Sequence, residues 1–242
     1  MRKKSSGFTL IELITVIVIL GVLATAISTF IKFGTQVYSE TTARDQLVSS
    51  ARFAVERINR EIRNSLPNSL QLTNSNQCIE FTPIIENTIY TDIPVLPEIA
   101  SDKISVILFD EAFDSNWNVI VYPLIPDDVY GNTGKIYSVD SIITVGDEWV
   151  ITLDNNVLFA EDSPTQRVYF INESVEYCLS GETLTRNGIL MAQDIHNTNA
   201  NPPFEVLSST LQRNAMVQIH LEFEKNNEQI TFNNEVQVLN VP

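Results

Sequence analysis

The chain has 242 residues with 15 basic and 30 acidic side chains, a formal net charge of −15. That balance argues against nucleic-acid binding, which needs a basic stripe. The length supports one sizeable folded region beyond any anchor, and two histidines, His196 and His220, in no ligand-like spacing, argue against a metal centre.

The first element is the most informative. Arg2, Lys3 and Lys4 precede Ser5, Ser6 and Gly7, and residues 8–31 are then almost wholly apolar, with no charge from 13 to 31. As a helix, 8–31 is roughly 36 Å long at about 1.5 Å per residue, enough to cross a bilayer core of about 30 Å. The β-branched run at Ile14–Ile19 favours a strand in water, but in lipid the backbone must satisfy itself internally and the helix wins. The three cations hold the short N-terminal side in the cytoplasm and send the rest of the chain outward. A secretory signal is cut after its apolar stretch; the cleavage point suggested here, Gly7–Phe8, lies before it, so the apolar helix stays in the mature protein. Cleavage there leaves 12 basic against 30 acidic side chains, a net of −18. Glu12 is out of place, because a carboxylate in a membrane segment costs about 2.5–3.5 kcal/mol unless it is partnered. Removing residues 1–7 creates an α-amino group at Phe8, one turn from Glu12.

The string GFTLIEL, in this position, resembles the type III signal of type IV pilins and pseudopilins. The resemblance implies cleavage at Gly7–Phe8 by a prepilin peptidase and N-methylation of Phe8. It also implies pairing of Glu12 with the N-terminus of a neighbouring pilin or pseudopilin subunit. The chain is then a single-pass inner-membrane protein with a periplasmic domain, later carried in a pilus or pseudopilus at the bacterial surface.

Beyond residue 31 the helix turns amphipathic. Leu47, Ala51, Ala54, Ile58 and Ile62 form one apolar stripe, and Glu56–Arg60 and Arg57–Glu61 sit at i,i+4 spacing. Pro67, after Asn64, Ser65 and Leu66, stops the helix. The chain therefore divides into a leader (1–7), one long helix (8–66; 8–31 for the membrane, 32–66 amphipathic) and a β-rich region (67–242). The stretch 44–69 is similar to the helix of larger minor pilins and of J-type pseudopilins of type II secretion. It also resembles the O-type minor pilin of the mannose-sensitive haemagglutinin (MSHA) pilus, as do YCLSGETLTRNG (177–188) and EVQVLNVP (235–242).

Strands are expected at 78–85, 104–109, 119–124, 135–139, 149–153, 168–171, 174–179 and 183–186, with a hairpin turn at Ser180-Gly181-Glu182. The last segment runs 216–224, a polar stretch at 225–228, 229–232 and then 235–239, which two closing strands with a polar hairpin loop fit. Cys78 and Cys178, an even count in an exported region, suggest one disulfide; the other arrangement is two buried thiols in separate strands. The fold class is α+β, a long helix carrying an antiparallel β domain.

No glycine-rich phosphate loop, nucleophile elbow or metal motif is present, so the reading is a structural, non-enzymatic subunit with no cofactor. Asp127-Asp128 and Asp154-Asn155-Asn156 offer oxygen ligands for calcium, yet such clusters more often form turns. Trp117, Tyr122, Tyr130, Tyr137 and Trp149 suit either a sugar-reading face or the core. The leading function is a minor pilin that primes or caps a filament. The alternatives are a type II secretion pseudopilin and a pilus-tip adhesin.

Overall fold

The computed structural model describes residues 7–109, 114, 116–131, 135–198, 200–207, 214–226 and 228–238; the leader residues Arg2, Lys3 and Lys4 lie outside them. The architecture is α+β. A 54-residue helix, α1 (Leu10–Arg63), runs into antiparallel β structure.

Two halves of α1 live in different surroundings. Residues 10–41 are exposed along their whole length, whereas Ala43, Leu47, Ala51, Ala54, Val55, Ile58 and Ile62 are buried against the sheets. Each large aliphatic in that stripe stabilises the docked helix by about 1.5–3 kcal/mol. The helix ends three residues before the expected boundary. The Asn64 N–H turns back to Glu61 and Ile62, the Ser65 hydroxyl donates to the Ile62 carbonyl at 2.7 Å, and the Leu66 N–H crosses to Thr82. Pro67 has no N–H with which to continue.

A five-stranded sheet has the order β1 (Gln71–Thr73), β2 (Cys78–Phe81), β9 (Val175–Ser180), β10 (Thr183–Arg186), β11 (Ile189–Ala192). A three-stranded sheet joins β12 (Phe204–Leu207), β13 (Ala215–Lys225) and β14 (Glu228–Val238). Between β2 and β9 the chain builds a closed antiparallel barrel from β3 (Ile84–Asp92), β4 (Ser101–Ile107), β5 (Asn118–Val121), β6 (Ile136–Val145), β7 (Glu148–Val157) and β8 (Arg167–Ile171), in the order β3-β4-β7-β6-β5-β8. The single strand expected at 78–85 is thus two strands. Pro83 interrupts the ladder, and there the chain leaves the five-stranded sheet for the barrel. Strands β1, β11, β12 and most of β3 lie outside the expected segments, and β6 and β7 are twice as long as expected. The β9–β10 hairpin is present, with Gly181 at φ +59 in its turn. The closing β13–β14 hairpin is also present.

The described residues form three packed cores. One lies between α1 and the two sheets, and a second fills the barrel. The third, with Leu66, Ile120, Tyr169 and Ile171, sits where the helix end meets the barrel. At the base of the insertion Cys78 stands opposite Cys178 in the β2–β9 pairing, and the two form a disulfide with a sequence separation of 100.

A charged clamp fixes the helix to β9 and β10. Glu61 accepts from Arg57 Nε at 3.0 Å, from Arg186 Nε at 2.8 Å and from the Tyr177 hydroxyl at 3.1 Å. The other i,i+4 pair, Glu56–Arg60, does not close. Burial pushes the Glu61 carboxyl up, but the hydrogen bonds from Arg186 and Arg57 outweigh it and hold it below the usual carboxylate range. A lowered folded-state value means that the clamp stabilises fully above the ordinary carboxylate pKa and is lost as pH falls through the lowered one. Urea unfolding from about pH 5 down to pH 3 is expected to show a steeper loss of midpoint in the wild type than in Glu61→Gln. Equal slopes would remove the clamp from the account of acid stability.

Candidate functional site

The N-terminal segment is the part of the described molecule that the fold itself does not use. Gly7, Phe8 and Thr9 precede the helix and are exposed. A Cβ on Gly7 meets nothing within 4 Å, so the fold makes no demand for glycine there. Thr9 is the N-cap, in extended conformation at φ −84 and ψ 149, and Thr9-x-x-Glu12 has the spacing of a capping box. The box does not form: no side chain caps the helix, and the Thr9 hydroxyl instead lies 3.5 Å from Glu12 Oε2. Glu12 sits in the first turn, where a negative charge meets the positive end of the helix dipole. No described cation lies within ion-pair distance of it.

Behind Glu12, Phe8, Leu10, Ile11, Ile17, Leu20 and Phe30 are among a long run of exposed apolar side chains. An 18-residue window of α1 reaches a mean hydropathy of 2.7 with none of it buried, long and apolar enough to cross a membrane. Three threonine hydroxyls in this stretch are satisfied within the helix. The hydroxyls of Thr15, Thr25 and Thr29 donate to the carbonyls of Glu12, Val22 and Thr25 at 3.0, 2.8 and 3.0 Å. Such back-bonding removes donors that lipid could not satisfy.

The other sequence candidates fall elsewhere. Trp117 is buried in the barrel, where Phe109 and Phe170 pack on it, and Trp149 packs on Phe109. Tyr137 meets Phe159 edge-on, and the Tyr130 hydroxyl bonds to Thr82. The aromatic residues are mainly core, not a sugar-reading row. The Asp128 carboxylate accepts from the N–H groups of Leu124 and Ile125 and pairs with Lys135. Burial pushes that carboxyl up, but these partners hold it below the usual range. It is a turn-forming group, as is common for such clusters. Asp154, Asn155 and Asn156 lie exposed along β7. His196 lies 3.7 Å from Glu182, and His220 lies 2.9 Å from Glu222; the two histidines share no ligand set. Cys78 and Cys178 have Glu176 close by, but their sulfurs are bonded to each other, which removes the thiolates a metal would take.

Two features escaped the sequence reading. One is the Glu61 clamp, whose partners Tyr177 and Arg186 are more than a hundred residues away in the chain. The other is a polar cleft of about 620 Å³ between barrel and sheet, with Asn116, Asn118, Asn172 and Asn187 on its walls. Neither carries a local signal, since each is made by strands that meet only in the fold.

Residues 2–28 match the family model described as the prokaryotic N-terminal methylation motif. No curated protein and no solved structure matches the chain.

Proposed function

We propose that the chain is a minor, low-copy subunit of a type IV pilus, processed at Gly7–Phe8 and built into the filament through its apolar helix. The methylation motif indicates the broader class, a type IV pilin or pseudopilin. The observation that carries the reading is the coincidence of that motif with the half of α1 that the fold leaves bare. An apolar helix with nothing packed on it needs either lipid or a bundle of like helices, and a pilin-like subunit uses first one and then the other.

In this mechanism Arg2, Lys3 and Lys4 hold the leader in the cytoplasm, and a prepilin peptidase cuts after Gly7 and methylates Phe8. Glu12 then pairs with the amino group of a neighbouring subunit. The exchange of lipid for neighbouring helices changes apolar exposure little, so the charge pair sets register and docking. The β-rich region primes or caps the filament. Resemblances at 44–69, 177–188 and 235–242 support an MSHA-like O-type subunit. A proline-free α1 and a β region larger than a filament repeat usually carries also favour a low-copy role.

Intact-mass measurement on protein from native membranes tests this. The expected species lacks residues 1–7, carries one added methyl on Phe8 and has lost two hydrogens at Cys78–Cys178. An uncut N-terminus in cells with active prepilin peptidase would reduce the chain to a signal-anchored ectodomain. Pseudopilin function in type II secretion predicts the same mass. The two readings separate on whether deletion abolishes pili or abolishes secretion.

A further inference from the structure

The outward face of the amphipathic half of α1 is chemically unlike the rest of the molecule. Asp45, Ser49, Arg52, Phe53, Glu56, Arg60 and Arg63 recur at helical spacing opposite the buried stripe and are exposed. Arg52, Arg60 and Arg63 make no hydrogen bond or ion pair among the described residues, in contrast to Arg57, which holds Glu61. Among them stands Phe53, 55 % exposed. At the end of the row Arg63 and Arg167 line one concavity of about 260 Å³, together with Ile84, Asn87 and Tyr169. Elsewhere cations are scarce. Residues 67–242 hold six basic and 25 acidic side chains, and three of those cations are already committed, in Lys135–Asp128, Arg186–Glu61 and Lys225–Asp194.

We propose that this arginine and phenylalanine face, with the Arg63–Arg167 concavity at its end, docks a carboxylate-bearing surface of a neighbouring pilin-like subunit. The inference rests on the filament-subunit reading above and names the contact by which the exported part of the helix chooses its neighbour. Unpaired guanidinium groups around an exposed ring are the composition of an interface anchor: arginine and aromatic residues are enriched there. Guanidinium forks suit carboxylates in particular. Lipid is a poor occupant. Arg52 lies 21 residues past Ile31, roughly 30 Å along the helix at about 1.5 Å per residue, and the field of a charged membrane surface decays over about 8 Å. A nucleic acid would meet the repulsion of the whole acidic chain. An acidic subunit of the same general charge as this one fits best. The β region of this chain is itself such a surface.

The test uses the full chain in its native membrane, with the photoreactive analogue p-benzoyl-phenylalanine in place of Phe53. Illumination is expected to give an adduct whose partner peptide is an acidic segment of a second pilin-like subunit. The triple variant Arg52→Glu, Arg60→Glu, Arg63→Glu should lower its yield at least tenfold. The matching Gln triple should fall between, and Arg44→Glu, outside the row, should leave the yield unchanged. Retention of the disulfide and of protease resistance shows that the variants are folded. An adduct with lipid or nucleic acid, no adduct, or a yield indifferent to charge reversal overturns the proposal. Intact mass on the same samples separates the two failures. A processed subunit with a charge-indifferent adduct sinks this surface alone, and an unprocessed one sinks the filament reading and this contact with it.

Discussion

Glu12→Ala is expected to abolish incorporation into filaments while leaving membrane insertion intact or improved. A carboxylate opposes insertion, by up to about 2.5–3.5 kcal/mol at the centre of a span, so its removal makes insertion easier. The loss comes at assembly. In the proposed mechanism the amino group at Phe8, with an ordinary pKa of about 7.7–8.0, is charged at neutral pH and enters an apolar bundle of helices. Taking one partner from a buried charge pair costs about 3–5 kcal/mol, because the other charge is left uncompensated. That is more than a hundredfold in the docking equilibrium. The structure leaves the Glu12 carboxylate free for such a role, since the Thr9 hydroxyl, at 3.5 Å, is its one hydrogen-bond partner among the described residues. Glu12→Gln keeps the shape and loses the charge, and should fail nearly as badly. Counting subunits in sheared filaments against the membrane pool is the measurement. Ordinary incorporation of Glu12→Ala would end the charge-pair mechanism, even with the N-terminus correctly processed.

Loss of the disulfide is expected to have the largest effect on stability. The Cys78→Ser, Cys178→Ser double variant should unfold at a distinctly lower urea concentration than the wild type, with a loss of about 2–5 kcal/mol. For a closed loop of about 100 residues the chain-entropy model gives about 4.7 kcal/mol before any native-state cost. Position adds a consequence. The bond ties β2 to β9 at the base of the barrel insertion, so the whole barrel lies within the covalent loop. Without it, four residue pairs, 78–81 with 175–178, remain to hold the two strands together there. Proteolysis of the double variant should therefore begin at the segments joining the sheet to the barrel, near Thr82–Pro83 and 172–174. Unfolding midpoints within error of each other would show that strand pairing and the cores do this work unaided.

The helix was legible because its hydrogen bonds are local. Each N–H reaches four residues back, so periodicity, length and the proline at 67 locate it to within a turn or so. The closing hairpin and the β9–β10 turn were legible for the same reason, their partners being neighbours in the chain. Strand β3 was not. Its residues mix threonine, tyrosine, asparagine and acids, and it pairs with β4 on one side and with β8, some eighty residues away, on the other. The four-residue strands β11 and β12 are too short to show a period. The aromatic residues were visible as a group, but the place of Trp117, Tyr122, Tyr137 and Trp149 in or against the barrel core followed from strand pairing. No single stretch of sequence states that pairing.

The N-terminal signal, the apolar helix, the acid-rich composition and the even pair of cysteines are written in the linear chain. All are properties of contiguous residues or of simple counts. That six strands close into a barrel between β2 and β9, and that Cys178 faces Cys78 across that neck, follows from the three-dimensional fold alone. The fold also spends Glu61 on Tyr177 and Arg186 and leaves Arg52, Arg60 and Arg63 without a partner among the described residues. The physical reason is the same in each case. A strand or an ion pair takes its partner from wherever the chain returns, and that return is set by packing of the whole core rather than by any local pattern.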